Sequence, residues 1–404
     1  MQNIPVSRTA PRPRKPEAEN PPRRGLSSTI VLATGTFAVG TDAFVVTGFL
    51  PEMARTLDVS PQAAGQSVTV FAVAYAVLAP VLATLTARVP RRVLLVCALV
   101  VLGLANIGSA LAPSYGVLVA TRVLAAFGAA SYTPNAGAAA AALVRPAQRA
   151  RALAIVLGGL TAATAVGVPL GNLAERAVDW RSVLGLVAAL CFVCAAGICL
   201  AMPPLPGNPR IPLHKRLAVL RDRGVIAVLP LTVLGLAAGC VMWAYSVPVL
   251  DALGVAPARI VWMLFLFGLG AAAGNLVAGA ATDRWGSVPV LTAGFLSLAA
   301  AMALIAWQAV AGLHSTALAG VLVTAWGAGI YCQTSPQQHR LIAVAPGEPA
   351  LVIGLNSSAI YAGIGLGTVL GGLILPAGVA AAGLTAAILA AAASLYLMLT
   401  RRYR

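Results

Sequence analysis

The stretch from Gly35 to Pro51, GTFAVGTDAFVVTGFLP, places one carboxylate, Asp42, inside an apolar run long enough to cross a bilayer. A charged side chain at that depth costs about 3 kcal/mol even on the lenient insertion scales. A carboxylate there therefore reads first as a functional group facing a polar cavity or a partner. One other charge lies deep in an apolar segment, Arg122 in LVATRVLAAFGAA. Any fold for this chain has to accommodate both.

Around that stretch the 404 residues are 59% hydrophobic and only 9% charged. A helical crossing needs about 20 apolar residues. Such runs recur at Leu26–Leu50, Gln66–Thr86, Val93–Ala112, Gly116–Ala142, Ala152–Leu173 and Val183–Met202. They resume at Val225–Leu250, Ile260–Thr282, Val288–Val310, His314–Thr334, Leu351–Leu375 and Ala377–Thr400. The pattern predicts an all-α membrane protein with twelve transmembrane helices in two six-helix halves and both termini cytoplasmic. Residues 1–25 read as a disordered cytoplasmic tail, rich in Pro and Arg. The N-terminal half is expected at 26–202, a cytoplasmic linker at 203–224 and the C-terminal half at 225–404. The first apolar run is longer than the core of a signal peptide and lacks a small-residue cleavage site, so it reads as a retained helix.

The formal charge of +16 does not point to nucleic acid, because the basic residues sit in the connections and termini. There they set orientation, since cytoplasmic connections carry the Lys and Arg excess. With the N-terminus inside, only Arg55, Arg176, Arg181 and Arg259 of the 27 basic residues fall on the outer side, and Arg122 lies in the membrane. All six cysteines lie in apolar segments, which argues against a disulfide framework or a zinc site. No metal or other cofactor is called for.

An internal repeat supports two halves. Ala83 to Arg92, ATLTARVPRR, follows the second run, and Gly279 to Gly286, GAATDRWG, follows the eighth. These turns resemble the G-x-L-x-D-R-x-G-R-R signature of the major facilitator superfamily. The first copy keeps Leu85, Arg88, Arg91 and Arg92, with Ala87 in place of the acid. The second keeps Gly279, Asp283, Arg284 and Gly286. Leu118-x-x-x-Arg122 is similar to the L-x-x-x-R motif of the proton-driven drug exporters, and the chloramphenicol- and sugar-efflux-like branch resembles the chain most. Gly167-Val-Pro169-Leu-Gly171 resembles their antiporter motif, and Trp180-Arg181 their W-R pair. Thr41-Asp42-Ala43-Phe44 with Pro51-Glu52 resembles their acidic motif, displaced by one residue. The resemblance implies a cavity lined by the first and fourth helices and a cytoplasmic gate at the two turns. Candidate lining residues are Phe44, Trp243, Tyr245, Trp326, Tyr331 and Tyr361; the alternative for each aromatic is lipid anchoring or packing.

Independently of the resemblance, Asp42 lies about eight residues from the outer end of a helix running outward, and Arg122 about seven from the outer end of one running inward. The two share a depth of about 10–12 Å and can pair. Proton coupling through Asp42 and Arg122 is one reading, and a structural ion pair locking two helices is the other. Gly-rich runs such as Gly268–Gly274 and Gly363–Gly367 read as close helix packing rather than nucleotide loops. Asn356-Ser357-Ser358 is a sequon inside a helix.

Three functions fit such a chain: an exporter exchanging a small amphipathic compound for protons, an uptake symporter for a sugar or small metabolite, and a membrane sensor that moves nothing. The antiporter motif favours the first. His214, His314 and His339 do not converge at membrane depth, which argues against an enzyme. No P-loop is present to couple ATP directly. The expected partners are the bilayer, a small-molecule substrate and protons, with the chain acting as a monomer.

Overall fold

The structure, a computed structural model, describes residues 25–86, 88–144, 149–163, 178–207, 221–345 and 349–401. In the N-terminal half these form α1 (Gly25–Val45), α2 (Leu50–Thr56), α3 (Pro61–Leu85), α4 (Arg91–Ala110), α5 (Tyr115–Leu143), α6 (Arg149–Ala162) and α7 (Trp180–Ala201). The C-terminal half contains α8 (Arg223–Trp243), α9 (Ser246–Ala252), α10 (Pro257–Trp285), α11 (Ser287–Val310), α12 (Thr316–Tyr331), α13 (Thr334–Val344), α14 (Pro349–Ile374) and α15 (Val379–Thr400). Among the described residues, ten segments are long and apolar enough to cross a membrane. The first and fifth expected crossings fall on α1 and on α6.

Polar side chains mark several starts. Asp179 accepts from the Ser182 amide ahead of α7, Asp222 from the amides of Gly224 and Val225 ahead of α8, and Ser315 from the Leu318 amide ahead of α12. The Ser182 side chain, and to a lesser extent its amide, holds the exposed Asp179 carboxyl below the usual carboxylate range.

Three expected crossings are broken. A 3₁₀ turn at Val46–Gly48 interrupts the first run, a turn at Ala244–Tyr245 the seventh, and Cys332–Gln333 the tenth. Each break includes the residue four positions before a proline: Thr47 before Pro51, Ala244 before Pro248 and Cys332 before Pro336. Proline has no N–H for the carbonyl four residues back, and its ring collides with that carbonyl. Pro80, Pro134 and Pro230 lie inside continuous helices. In the tenth crossing the break lets the chain resume as α13, so the segment expected to be a cytoplasmic loop is helical to Val344. Arg340 is 1% exposed there, a buried cation that the hydropathy pattern assigned to the cytoplasm.

Within each half the helices pack closely, α1 on α5, α6 and α7, α8 on α14 and α15, and α10 on α12. Without a hydrophobic driving force between helices in lipid, such contact depends on small residues. The Gly-rich runs supply them. A Cβ at Gly270 would lie 2.1 Å from the Thr324 carbonyl, one at Gly274 2.5 Å from that of Ala328, and one at Gly367 2.6 Å from that of Ala237. Asn356 of the sequon is buried and accepts a 2.8 Å hydrogen bond from Thr232. The halves meet chiefly where α3 lies along α14.

Gly274→Ala is expected to force α10 away from α12 at a cost of about 1–3 kcal/mol. Gly354→Ala, where a Cβ meets nothing within 4 Å, serves as the control. Thermal melting of the purified protein in detergent should show a lower midpoint for the first variant alone; equal midpoints would contradict this packing account.

Candidate functional site

Asp42 lies one turn before the end of α1, and Arg122 lies two turns into α5. Their side chains meet. Arg122 Nη1 donates to Asp42 Oδ1 at 2.9 Å, and Nη2 donates to Oδ2 at 3.2 Å and to the Asp42 carbonyl at 3.3 Å. The pair is fully enclosed, with 0% and 1% of the two side chains exposed. The fork geometry presents two separate nitrogens to the two carboxylate oxygens, a planar match that a lysine's single nitrogen does not offer. Arg122 Nε has no hydrogen-bond partner among the described residues.

The guanidinium also lies over an aromatic ring. Arg122 Cζ lies 4.9 Å from the centroid of Phe71 on α3, a cation–π contact strengthened by the burial of the guanidinium. Phe71 in turn meets Tyr361 of α14 at 6.1 Å between centroids, and Tyr75, one turn along α3, stacks on Tyr361 at 3.6 Å. Charge on the α1–α5 pair is therefore one ring away from the seam between the halves. Beside Phe71 is a small cavity lined by residues that include Ala43, Phe71, Trp243, Tyr361, Ile364 and Thr368, with about 10 Å³ free for a water-sized occupant. That is room for about one water molecule.

Contacts across the seam run outward from Tyr75. Tyr245 Oη accepts from Gln66 Nε2 and donates to the Thr368 carbonyl, both at 3.3 Å. A Cβ at Gly65 would lie 2.4 Å from the Tyr245 ring, and one at Gly372 2.7 Å from its hydroxyl. The phenol is thus wedged between α3 and α14, toward the ends that the charge distribution assigns to the outside.

The remaining candidates scatter. Trp243 and Tyr361 reach the cavity. Trp326 is buried against Trp243 and Phe267, and its Nε1 donates to the Gly239 carbonyl at 2.9 Å. Tyr331 is partly buried at the end of α12. Phe44 lies on α1, its side chain outside the described set. Gly167, Pro169 and Gly171 lie outside the described residues, as does Ala87. At the first turn, Arg91 donates to Asn135 of α5 and Arg92 to the Cys199 carbonyl of α7, while Arg88 is exposed. At the second, Asp283 is exposed with no bond or ion pair among the described residues, and Arg284 lies over Trp285. Gly279 meets only Ser335, at an ordinary distance, and Gly286 takes φ +83°, a conformation that favours glycine between α10 and α11.

Several participants escaped the sequence reading. Phe71 and Tyr75 share a helix face at i, i+4 spacing, a visible signal that says nothing of which neighbour the face meets. Arg340, Gln337, Thr232 and Asn356 form a buried polar network in the C-terminal half. Gln337 Nε2 donates to Thr232 Oγ1 and to the Val228 carbonyl, both at 2.9 Å, and Arg340 Nη2 donates to the Thr400 carbonyl at 2.9 Å.

Sequence comparison places these features among known proteins. The profile of the Major Facilitator Superfamily matches residues 32–250. The chain is 32% identical to the inner membrane transport protein YdhP of Escherichia coli over 351 residues, 86% of this chain and 89% of that protein. It is 33% identical to a chloramphenicol resistance protein of Streptomyces lividans over 345 residues, 83% and 86% of the two chains. Among solved structures it resembles a D-xylose-proton symporter (TM-score 0.78, 15% identity, 94% of this chain and 98% of that one). It also resembles an inward-facing bacterial homologue of the lysosomal transporter Spinster (TM-score 0.69, 16% identity, 94% and 96%).

Breaking a buried pair by removing one partner costs about 3–5 kcal/mol, more than replacing both. Arg122→Met alone is therefore expected to melt lower and purify in lower yield than Asp42→Asn/Arg122→Met. Equal melting of the single and double variants would mean that the two charges are not coupled.

Proposed function

The chain belongs to the major facilitator superfamily, and from that premise we propose that it exports a small amphipathic compound across the cell membrane in exchange for protons. The observation that carries the proposal is the enclosed Asp42–Arg122 pair, one aromatic ring from the seam between the halves. The chloramphenicol resistance relative supports export over uptake.

Asp42 is the proton carrier in this reading, and Arg122 is the residue that responds. While Asp42 is ionised, two charge-assisted bonds hold Arg122 against α1. Protonation removes the charge that those bonds depend on and releases the guanidinium to shift relative to Phe71. Phe71 and Tyr75 bear on Tyr361, so the change is felt where α3 and α14 slide past each other. A proton can shift the equilibrium between two arrangements only if its affinity differs between them, and the pair supplies that difference. The cavity between Phe71, Trp243 and Tyr361 is the place for cargo, and it must widen to admit any. Its apolar and aromatic lining, with the nearby charges cancelling, favours a neutral or zwitterionic amphipathic compound over a strong cation.

Asp42→Asn keeps the shape but cannot titrate. In proteoliposomes it is expected to lose uphill efflux under an imposed pH gradient, while exchange of substrate down its own gradient survives. Uphill pumping by this variant at the wild-type rate would reduce Asp42 to a structural partner and end the proposal.

Cargo class is tested by expression in a bacterium lacking its own exporters. Resistance is expected toward neutral or zwitterionic amphipathic antibiotics. Resistance confined to quaternary ammonium dyes would refute the cargo assignment, and accumulation of substrate by inward proton symport would refute the direction.

A further inference from the structure

The C-terminal half carries an open groove that the transport reading does not use. It lies between α10 and α12, has a volume of about 510 Å³, and is lined by Met263, Leu266, Gly320, Val321 and Thr324, with Arg259 and Thr316 at its mouth. Along α10 from Arg259 to Leu266, and along α12 from Thr316 to Thr324, it extends about 10–12 Å at 1.5 Å per residue. Gly320, with no side chain, deepens the middle. The lining is apolar below the mouth, because the Thr324 hydroxyl is turned onto the Gly320 carbonyl at 2.7 Å.

The mouth is cationic. Arg259 is exposed, donates to Thr316 Oγ1 at 3.3 Å, and has no carboxylate within ion-pair distance among the described residues. It lies in the first turn of α10, where a positive side chain gains nothing from the helix dipole and an anion is favoured. Trp262, three residues on and 63% exposed, presents an indole of the kind that settles at the membrane–water boundary. The charge distribution puts this end on the outer side.

We propose that the groove is a binding site for a single anionic phospholipid of the outer leaflet, its phosphate on the Arg259 guanidinium and the Thr316 hydroxyl and one acyl chain along Gly320. A guanidinium offers two parallel donors to a phosphate oxygen pair, and an acyl chain is the apolar partner that the bilayer supplies at this surface. The site is separate from Asp42 and Arg122, so it stands whether or not these residues carry a proton.

The test is native mass spectrometry of the full chain in detergent, titrated with dioleoylphosphatidylglycerol and, separately, with dioleoylglycerol, which has the same chains and no phosphate. Wild type is expected to retain one phosphatidylglycerol at concentrations where Arg259→Gln retains at least fivefold less, and to retain little dioleoylglycerol. Gly320→Leu fills the groove, and its Cβ would lie 3.3 Å from Leu266 Cδ1, 3.7 Å from Met263 Sδ and 3.8 Å from Met263 Cε, all at the ends of flexible side chains; it is expected to lose the lipid with Arg259 intact. Arg55→Gln removes another exposed outer arginine and should bind as wild type. The proposal is overturned if Arg259→Gln binds phosphatidylglycerol as wild type does, if dioleoylglycerol binds equally well, or if Arg55→Gln loses as much as Arg259→Gln.

Discussion

The structure depends on one bidentate contact buried from bulk solvent. Asp42 and Arg122 are each costly at membrane depth, and each is tolerable because the other is within 3.2 Å. The geometry does more than neutralise charge. It uses both carboxylate oxygens and two guanidinium nitrogens, and it sets the guanidinium carbon over the Phe71 ring. The pair ties α1 to α5 within one half, and the ring beneath it touches the other half. An ion pair buried solely to hold two helices together could be replaced by packed apolar side chains at little cost. This pair lies one ring from the seam, and that placement is what the export proposal draws on.

Around that contact the helices are arranged by two opposite demands on the backbone. Glycines at Gly270, Gly274 and Gly367 bring helices together until a carbonyl occupies the space of the missing Cβ. Prolines at Pro51, Pro248 and Pro336 instead break the hydrogen-bond ladder four residues earlier. The first two of these breaks occupy matching places in the two halves, so Phe49 and Tyr245 each stand at the start of a short helix on the outer side. Tyr245 uses that position to reach across to Gln66 and Thr368. The same repeat that appears in the cytoplasmic turns thus recurs in these breaks.

Much of this was legible in the sequence. Hydropathy located the ten crossings found among the described residues, and charge asymmetry supplied the expected orientation. Two isolated charges at one depth implied their own pairing, because both quantities are set by local composition and by a fixed rise per residue. The glycine runs and the buried sequon were readable for the same reason. What hydropathy misjudged was Arg340, since the polar run SPQQHR resembles a loop until helices from the same half close around it.

Only the tertiary structure decided which way each helix is turned. Phe71 and Tyr75 on one face of α3 are visible in the sequence, but their contact with Tyr361 requires a partner far along the chain. Its approach depends on how two whole halves dock. The small cavity beside Phe71, the wedge of Tyr245 between Gly65 and Gly372, and the groove beneath Arg259 belong to the same class. Each is made by side chains distant in sequence, and a periodic apolar pattern in lipid carries little record of helix rotation, because the surroundings on every face are nearly as apolar as the core.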